Sequence, residues 1–212
     1  MIRLNKYLAS VGVASRRASD YLISEGHVLV NGVVATVGMK LNGNENVIVD
    51  GKPVGKMESK EYWAVYKPIG LVSTASDEFG RETVMTLVKT DKRLYPIGRL
   101  DRDSEGLMIL TNDGDLALKL THPKFHLEKE YEVTVDKNVE PARLNVGINK
   151  IIKSRNNMFW IVMYEGKKRQ IRELCWEAGY RVRRLARVRI GKLTLGELDP
   201  GQYKKIQVKD II

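Results

Sequence analysis

Apolar residues in the first fifty positions change from helical spacing to short strand-like runs. Leu4, Leu8 and Val11 recur at helical intervals and predict a first helix. Ser15 is placed to cap a second helix, because its hydroxyl can accept a backbone N–H of the first turn. Valine-rich runs then flank Asn31-Gly32, a dipeptide that tolerates the positive φ angles of a tight hairpin turn. The pattern predicts two short helices followed by a small sheet.

The longer remainder of the chain is patterned mainly as short strands. Tyr131, Val133 and Val135 alternate with polar residues, so their side chains are expected on one face of a strand. Asp115 is placed to cap a following helix. Another helix is predicted by apolar residues at helical spacing, namely Ile171, Leu174, Cys175 and Ala178. Many short strands with few helices predict an α+β class.

A polar stretch near residue 58 divides the chain into two predicted domains. The first, residues 1–58, is expected to be a small α/β domain. The second, residues 59–212, is expected to be a larger domain built on a mixed, mainly antiparallel sheet with flanking helices.

Charge changes this picture, because 36 Lys and Arg stand against 26 Asp and Glu and give a net charge of +10. The excess is concentrated at residues 165–192, where ten basic residues accompany three acidic ones. A solvated helix face accounts for many such runs. A cluster this dense favours a polyanionic partner, since binding at phosphates releases counterions. Nucleic acid is therefore the preferred partner.

The single cysteine excludes a disulfide framework, and no apolar stretch reaches the roughly 18 residues that a membrane-spanning helix needs. No apolar signal segment follows Met1. His122 and His126 with one cysteine make no zinc ligand set. We therefore expect a cytoplasmic protein with no membrane association and no metal.

The most unusual polar segment is the loop 98–106, which is bracketed by glycines and contains charges of both signs. Loops on a rigid scaffold often carry reactive groups, and Asp101 is a candidate. A solvated turn whose Asp and Arg neighbours neutralise one another would use the same residues. The loop by itself leaves both interpretations open.

The N-terminal segment resembles the small RNA-binding domain named after ribosomal small-subunit protein S-four. The resemblance rests on three segments in the same order, 3–8, 14–18 and 25–32. In that domain the second helix and the following turn bind the RNA backbone. The resemblance therefore implies RNA contacts for Lys6, Arg16 and Arg17.

The rest of the chain resembles the RsuA group of ribosomal RNA pseudouridine synthases. The resemblance is carried by ordered blocks at 67–74, 98–114, 128–131, 165–172 and 187–201. Transferred by position, it implies that Asp101 is the catalytic carboxylate, that Tyr131 lies against the target uracil, and that Arg172 is the cation pairing with Asp101. It also implies isomerisation of uridine without any cofactor, because the reaction has no net redox change.

Further cations near these blocks are expected to contact RNA. Arg99 and Arg102 are assigned to flanking phosphates. Lys167, Lys168 and Arg169 lie just before and at the start of a predicted helix, where backbone N–H groups and cations can share an anion. The expected partner is ribosomal RNA or a ribosome-assembly intermediate, bound by a monomer.

One departure from the resembled group lies between Asp136 and Tyr164, where its members usually have a longer stretch. A non-catalytic RNA-binding or ribosome-assembly factor on a shortened synthase fold is therefore an alternative. An enzyme acting on a small nucleoside is disfavoured by the N-terminal segment and the basic cluster.

Overall fold

The computed structural model describes residues 1–55, 57–147 and 149–212. These residues form two compact units. One comprises Met1–Lys60 with Asp91–Arg93, and the other comprises Glu61–Thr90 with Leu94–Ile212.

The N-terminal unit has the two helices and the small sheet that the sequence predicts. Its elements are β1 (Ile2–Arg3), α1 (Leu4–Ser10), α2 (Arg16–Ser24), β2 (Val28–Val30), β3 (Val33–Val34), β4 (Lys40–Leu41), β5 (Val47–Val49) and β6 (Lys52–Pro53). The sheet order is β3-β2-β5-β6, and β1 pairs with β4. Leu4 and Leu8 are buried in its core. The Ser15 hydroxyl accepts the N–H of Ala18 at 3.1 Å, which confirms the predicted helix cap.

The second unit is built on one large sheet. Its strands and helices are β7 (Tyr62–Lys67), β8 (Tyr95–Ile97), β9 (Glu105–Thr111), α3 (Gly114–Thr121), β10 (Lys129–Val135), β11 (Lys150–Arg155), β12 (Met158–Met163), α4 (Gln170–Glu177), β13 (Val182–Ile190), β14 (Leu193–Thr194) and β15 (Tyr203–Lys205). Single 3₁₀ turns occupy Val84–Leu87, Pro123–Phe125, Pro141–Arg143 and Val208–Asp210.

The sheet order is β11-β12-β10-β13-β9-β7-β15, with β14 beside β13 and β8 beside β9. Among the strands of the described residues, β13 and β9 pair in parallel and the other pairs are antiparallel. The predicted α+β class with a mixed, mainly antiparallel sheet is confirmed.

Strand β9 lies in the interior of this sheet and is buried along its whole length. Leu107 and Ile109 pack in the cluster that holds α3, whereas Met108 and Leu110 pack in a separate cluster. Both faces of β9 are therefore covered, as its continuous apolar sequence requires. The loop that connects β8 to β9 therefore ends at a fully buried strand.

Strand β10 and helix α4 share another core cluster. Tyr131, Val133 and Val135 are buried on one face of β10, and Leu174 and Cys175 of α4 pack in the same cluster. This arrangement confirms the predicted alternation and the predicted helix stripe. It also brings α4 against the strand that carries Tyr131.

The predicted cap of α3 is wrong by two residues. Asp113 is the capping residue, and its carboxylate accepts the N–H groups of Asp115 at 3.1 Å and Leu116 at 3.2 Å. Asp115 lies in the first turn of the helix, where a negative charge suits the helix dipole. The helix therefore begins two residues earlier than the sequence pattern indicated.

The stretch between Asp136 and Tyr164 holds the 3₁₀ turn Pro141–Arg143 and strands β11 and β12. Both strands extend the sheet beyond β10. In the part of the chain that the structure describes, no helix has the length and apolar character needed to cross a membrane.

Candidate active site

The polar loop between β8 and β9 makes a tight turn around Asp101. The Ser104 N–H donates to the carbonyl of Asp101 at 3.1 Å. Gly98 and Gly106, which flank the turn, have φ angles of +71° and +105°. A Cβ on Gly106 would lie 2.3 Å from the carbonyl oxygen of Arg187. Glycine at 106 therefore permits the close approach of β9 and β13 directly behind the loop.

The buried side chain of Lys67 holds the end of this turn that follows Asp101, at Ser104. Its ammonium donates to the carbonyl of Ser104 at 2.6 Å and to that of Pro68 at 3.0 Å. Burial lowers the pKa of Lys67 to about 8, and the nearby carboxylates of Asp103 and Glu105 partly oppose that shift. Sequence reasoning assigned no role to Lys67, although a lysine ending an apolar strand before a proline was a usable signal.

A second set of hydrogen bonds holds Leu100 and Arg102, the two residues adjacent to Asp101. The Ser73 hydroxyl donates to the carbonyl of Leu100 at 2.6 Å and accepts the Leu100 N–H at 3.0 Å. The N–H of Gly70 donates to the carbonyl of Arg102 at 2.8 Å. The backbone on both sides of Asp101 is thus fixed by side chains and backbone of the segment 67–73.

Asp101 and Tyr131 line the same cavity, which has a volume of about 300 Å³. Its other walls include Leu100, Ser104, Met163, Glu165, Ile171 and Leu185. The Asp101 side chain is 35% exposed. The cavity combines one partly exposed carboxylate with an aromatic ring and aliphatic walls, which suits a flat, weakly polar ligand.

Tyr131 enters this cavity from a distorted point of β10. It lies opposite Ile161 on β12 and Arg187 on β13, and the register with β13 shifts between Glu130 and Tyr131. Such bulges re-aim a side chain next to functional sites. Tyr131 is only 8% exposed, so its ring is held by the core while it forms part of the cavity wall.

The predicted pairing of Arg172 with Asp101 is wrong in this structure. The Arg172 guanidinium donates to the carbonyl of Asp103 at 2.8 Å and to the Ser104 hydroxyl at 3.2 Å, and it lies 3.4 Å from the Asp103 carboxylate. Arg169 is the cation near Asp101, with Nη1 3.8 Å from Oδ2. Arg169 lines the cavity that contains Asp101 and its side chain is 43% exposed, whereas the Arg172 side chain is 13% exposed and does not line that cavity.

The remaining predicted cations divide between the two units. Lys167 and Lys168 are exposed and line the Asp101 cavity together with Arg99 and Arg169. Arg102 is exposed, and its Nε donates to the carbonyl of Gly70 at 3.1 Å.

Lys6, Arg16 and Arg17 belong to the N-terminal unit, where Lys6 lies on α1 and the two arginines begin α2. Both arginines are exposed. Their predicted contacts with RNA stay predictions.

The start of α4 differs from a standard cap. Arg169 precedes the helix in a left-handed conformation with φ of +56°, and the Lys167 N–H donates to the Gln170 side chain at 3.2 Å. Lys167 also lies 3.2 Å from the Glu165 carboxylate. These contacts hold the basic segment 167–169 as an ordered rim of the cavity.

Other reactive side chains are not part of this site. Burial raises the pKa of the Cys175 thiol to about 12, so this thiol stays protonated in the core. Within the described ranges, no group of three or more His, Cys, Asp and Glu side chains could hold a metal ion.

The chain is similar to known proteins over almost its whole length. The RNA pseudouridylate synthase family matches residues 61–177, and the S4 domain matches residues 2–47. An uncharacterized RNA pseudouridine synthase of Aquifex aeolicus is 38% identical over 225 residues, which cover 97% of this chain and 90% of that protein. Ribosomal large subunit pseudouridine synthase B of Bacillus subtilis is 37% identical over 232 residues, which cover 100% of this chain and 94% of that protein.

A crystal structure of a pseudouridylate synthase superimposes with a TM-score of 0.70 at 26% identity, covering 99% of this chain and 98% of that one. The sequence matches and the fold lead to the same assignment. This chain belongs to the RNA pseudouridylate synthase family.

Proposed function

We propose that this protein converts selected uridines of ribosomal RNA to pseudouridine, with Asp101 as the catalytic carboxylate. The observation that carries the proposal is the position of the Asp101 carboxylate, which lies on a braced turn at a cavity that also contains the Tyr131 ring. The similar protein of Bacillus subtilis is named for the large ribosomal subunit, which supports ribosomal RNA as the substrate.

The reaction exchanges one bond of the uracil for another. The bond between N1 of the base and C1′ of the ribose breaks, and a bond between C5 and C1′ forms. C5 loses its proton and N1 ends with one, so atoms and electrons balance without a redox partner. The Asp101 carboxylate acts as the nucleophile, at the sugar or at the base, and the cavity holds the detached uracil while it turns.

Tyr131 supports this role as a rigid wall for the base. A uridine must leave its RNA stack to reach Asp101, and a cavity wall with an aromatic ring offsets part of the cost of unstacking. No group among the described residues forms a hydrogen bond with the Tyr131 hydroxyl, which leaves this hydroxyl available to the base.

The cations at the rim supply the contacts with the RNA backbone. Arg99, Lys167 and Lys168 surround the cavity in which the target uridine sits, and Arg102 lies beside it. Lys6, Arg16 and Arg17 of the N-terminal unit add affinity for the same RNA. The protein acts as a monomer in the cytoplasm, on free ribosomal RNA or on an assembly intermediate.

The test is a map of pseudouridine in ribosomal RNA from cells with and without the gene. Loss of one or a few sites is expected, with restoration by the wild-type gene and no restoration by Asp101→Asn. The purified Asp101→Asn protein is expected to bind the unmodified RNA with a Kd within about threefold of wild type, because the substitution preserves shape.

An unchanged map would overturn the proposal and favour a non-catalytic RNA-binding or ribosome-assembly factor. Turnover by pure Asp101→Asn protein would instead overturn the assignment of the catalytic residue. The two outcomes separate the activity from the residue that performs it.

A further inference from the structure

An exposed aromatic side chain lies beside the catalytic turn, and the reaction described above does not use it. Phe79 is 81% exposed, the largest exposed fraction among the aromatic residues of the described chain. The guanidinium of Arg81 lies over its ring, 5.0 Å from the centroid. The remaining surface of the ring is open.

The loop that carries this pair is rigidly braced. The Asp77 carboxylate accepts the N–H groups of Phe79 at 3.1 Å and Arg81 at 2.9 Å. The Arg81 side chain returns to the same carboxylate, with Nη2 2.6 Å from Oδ1. This bond holds the pKa of Asp77 at about 2, so the carboxylate keeps its charge at neutral pH.

The base of the loop is closed against the same segment that fixes the catalytic turn. The N–H of Val72 donates to the carbonyl of Glu82 at 3.0 Å, and the N–H of Val84 donates to the carbonyl of Val72 at 2.9 Å. The adjacent Ser73 hydroxyl makes the two bonds with Leu100 described above. Phe79 and Asp101 are therefore presented by one connected framework.

Phe79 and Asp101 also line one cavity, with a volume of about 490 Å³. One wall is the loop, with Thr74, Ser76, Asp77, Glu78, Phe79 and Arg81. The catalytic turn also lines it, with Arg99, Leu100, Asp101 and Arg102. Asp101 is common to this cavity and to the one that contains Tyr131.

We propose that Phe79, with Arg81 behind it, is a stacking platform for the base of a nucleotide adjacent to the target uridine. This inference rests on the proposed function, because a uridine at Asp101 brings its covalently linked neighbours past the second cavity. An exposed, preorganised ring binds an unstacked base at little entropic cost, and stacking accepts any base. Arg81 is 46% exposed, so its outer edge meets a phosphate of the same nucleotide.

The charges around the ring favour RNA over an apolar or cationic ligand. Arg99 and Arg102 line the same cavity as the loop, and Glu78 is the acidic residue of the loop whose charge opposes theirs. Asp77 is neutralised by its bond with Arg81. A flipped uridine leaves a gap in the RNA stack, and an aromatic ring beside the catalytic turn stabilises the base that borders that gap.

The test uses full-length protein and ribosomal RNA extracted from cells that lack the gene. Phe79→Ala and Phe79→Leu are expected to raise Kd and KM by about 5- to 160-fold, the range for loss of one stacked base. The kcat is expected to stay within about threefold of wild type. Phe79→Tyr is expected to restore wild-type values, since it keeps the ring.

Phe125 provides a matched control. It is 44% exposed, and the Lys124 ammonium lies 4.8 Å from the centroid of its ring, but it does not line the cavity. Phe125→Ala is expected to leave Kd and KM unchanged. Equal losses from Phe125→Ala and Phe79→Ala, or wild-type Kd in Phe79→Leu, would overturn the inference. A wild-type protein that forms no pseudouridine would defeat the proposed function instead, and the Kd comparison would still decide the role of Phe79.

Discussion

The ammonium of the buried Lys67 donates to the carbonyl of Ser104 at 2.6 Å. Ser104 is three residues beyond Asp101 in the sequence. Lys67 is fully buried, whereas the Asp101 side chain is 35% exposed. A buried cation thus fixes the backbone on which a solvent-accessible carboxylate stands. Activity and stability should both depend on this one contact.

We predict that Lys67→Met lowers kcat by about 10- to 100-fold while KM changes little. The substitution keeps the length of the side chain but leaves the carbonyl of Ser104 without its donor, so the turn shifts, and small displacements of a catalytic group have effects of this size. Steady-state kinetics with unmodified ribosomal RNA measure both parameters. A variant with wild-type kcat would show that the turn holds its shape without Lys67.

The free energy of unfolding should depend on pH because of the lowered pKa of Lys67. The pKa of Lys67 is lowered from 10.5 to about 8, so below pH 8 both the folded and unfolded states hold the proton. Between pH 8 and 10.5 the folded state releases it first, and this group raises the free energy of unfolding by at most about 1.4 kcal/mol per pH unit. The difference in unfolding free energy between wild type and Lys67→Met should therefore increase from pH 8 to 10. Urea titrations at several pH values measure it, and a constant difference would contradict the assignment.

Gly106→Ala is predicted to destabilise the protein more than Gly98→Ala. Both glycines have positive φ angles, which cost a residue with a Cβ about 1–2 kcal/mol. At Gly106 the new methyl group would also lie 2.3 Å from the carbonyl oxygen of Arg187, whereas at Gly98 nothing lies within 4 Å. We expect the free energy of unfolding to fall by roughly 1–3 kcal/mol more for Gly106→Ala, through overpacking. Equal losses would show that β9 and β13 can separate without cost.

Substitution by lysine should lower kcat more at Arg172 than at Arg169. Arg172 makes its contacts with Asp103 and Ser104 through the planar guanidinium, which lysine cannot reproduce. Arg172→Lys is therefore expected to lower kcat by about 10-fold or more. Arg169→Lys keeps a charge near Asp101, where the present separation is 3.8 Å, and should leave kcat within about threefold. The reverse order in single-turnover kinetics would assign the direct role at the reacting atoms to Arg169.

These two arginines also show where sequence reasoning ends. The pattern predicted α4, its buried stripe and the alternation of β10 correctly, because periodic burial is a local property of the chain. Arg169 and Arg172 are three residues apart, and the pattern could not decide which of them lies near Asp101 and which contacts Asp103. That choice depends on the left-handed conformation of Arg169 and on where the turn lies, neither of which the spacing encodes.

The contact between Lys67 and Ser104 was missed for a related reason. The two residues are 37 positions apart, and only the pairing of β7 with β9 brings them together. The error at Asp113 was smaller, because either aspartate can cap a helix and only the exact start of α3 selects one. Local elements were therefore predictable, whereas the contacts that set the geometry of the site were not.

The basic rim leads to a prediction about salt. Lys167 lies 3.2 Å from Glu165, so part of its charge is already compensated within the protein. Lys168 is exposed on the same cavity, and it has no comparable carboxylate partner among the described residues. Lys168→Gln should therefore weaken RNA binding more than Lys167→Gln. It should also make the negative slope of log K against log salt concentration shallower by about 0.7, the value for one lost phosphate contact on single-stranded RNA.

Filter-binding titrations between low and physiological salt measure this slope. Lys119→Gln on α3 is the control, because Lys119 is exposed but does not line the cavity. It removes the same formal charge and should leave the slope unchanged if the contact is local. If all three variants lowered the slope equally, RNA would be sensing the net charge of the protein, and the segment 167–169 would not be a specific part of the binding surface.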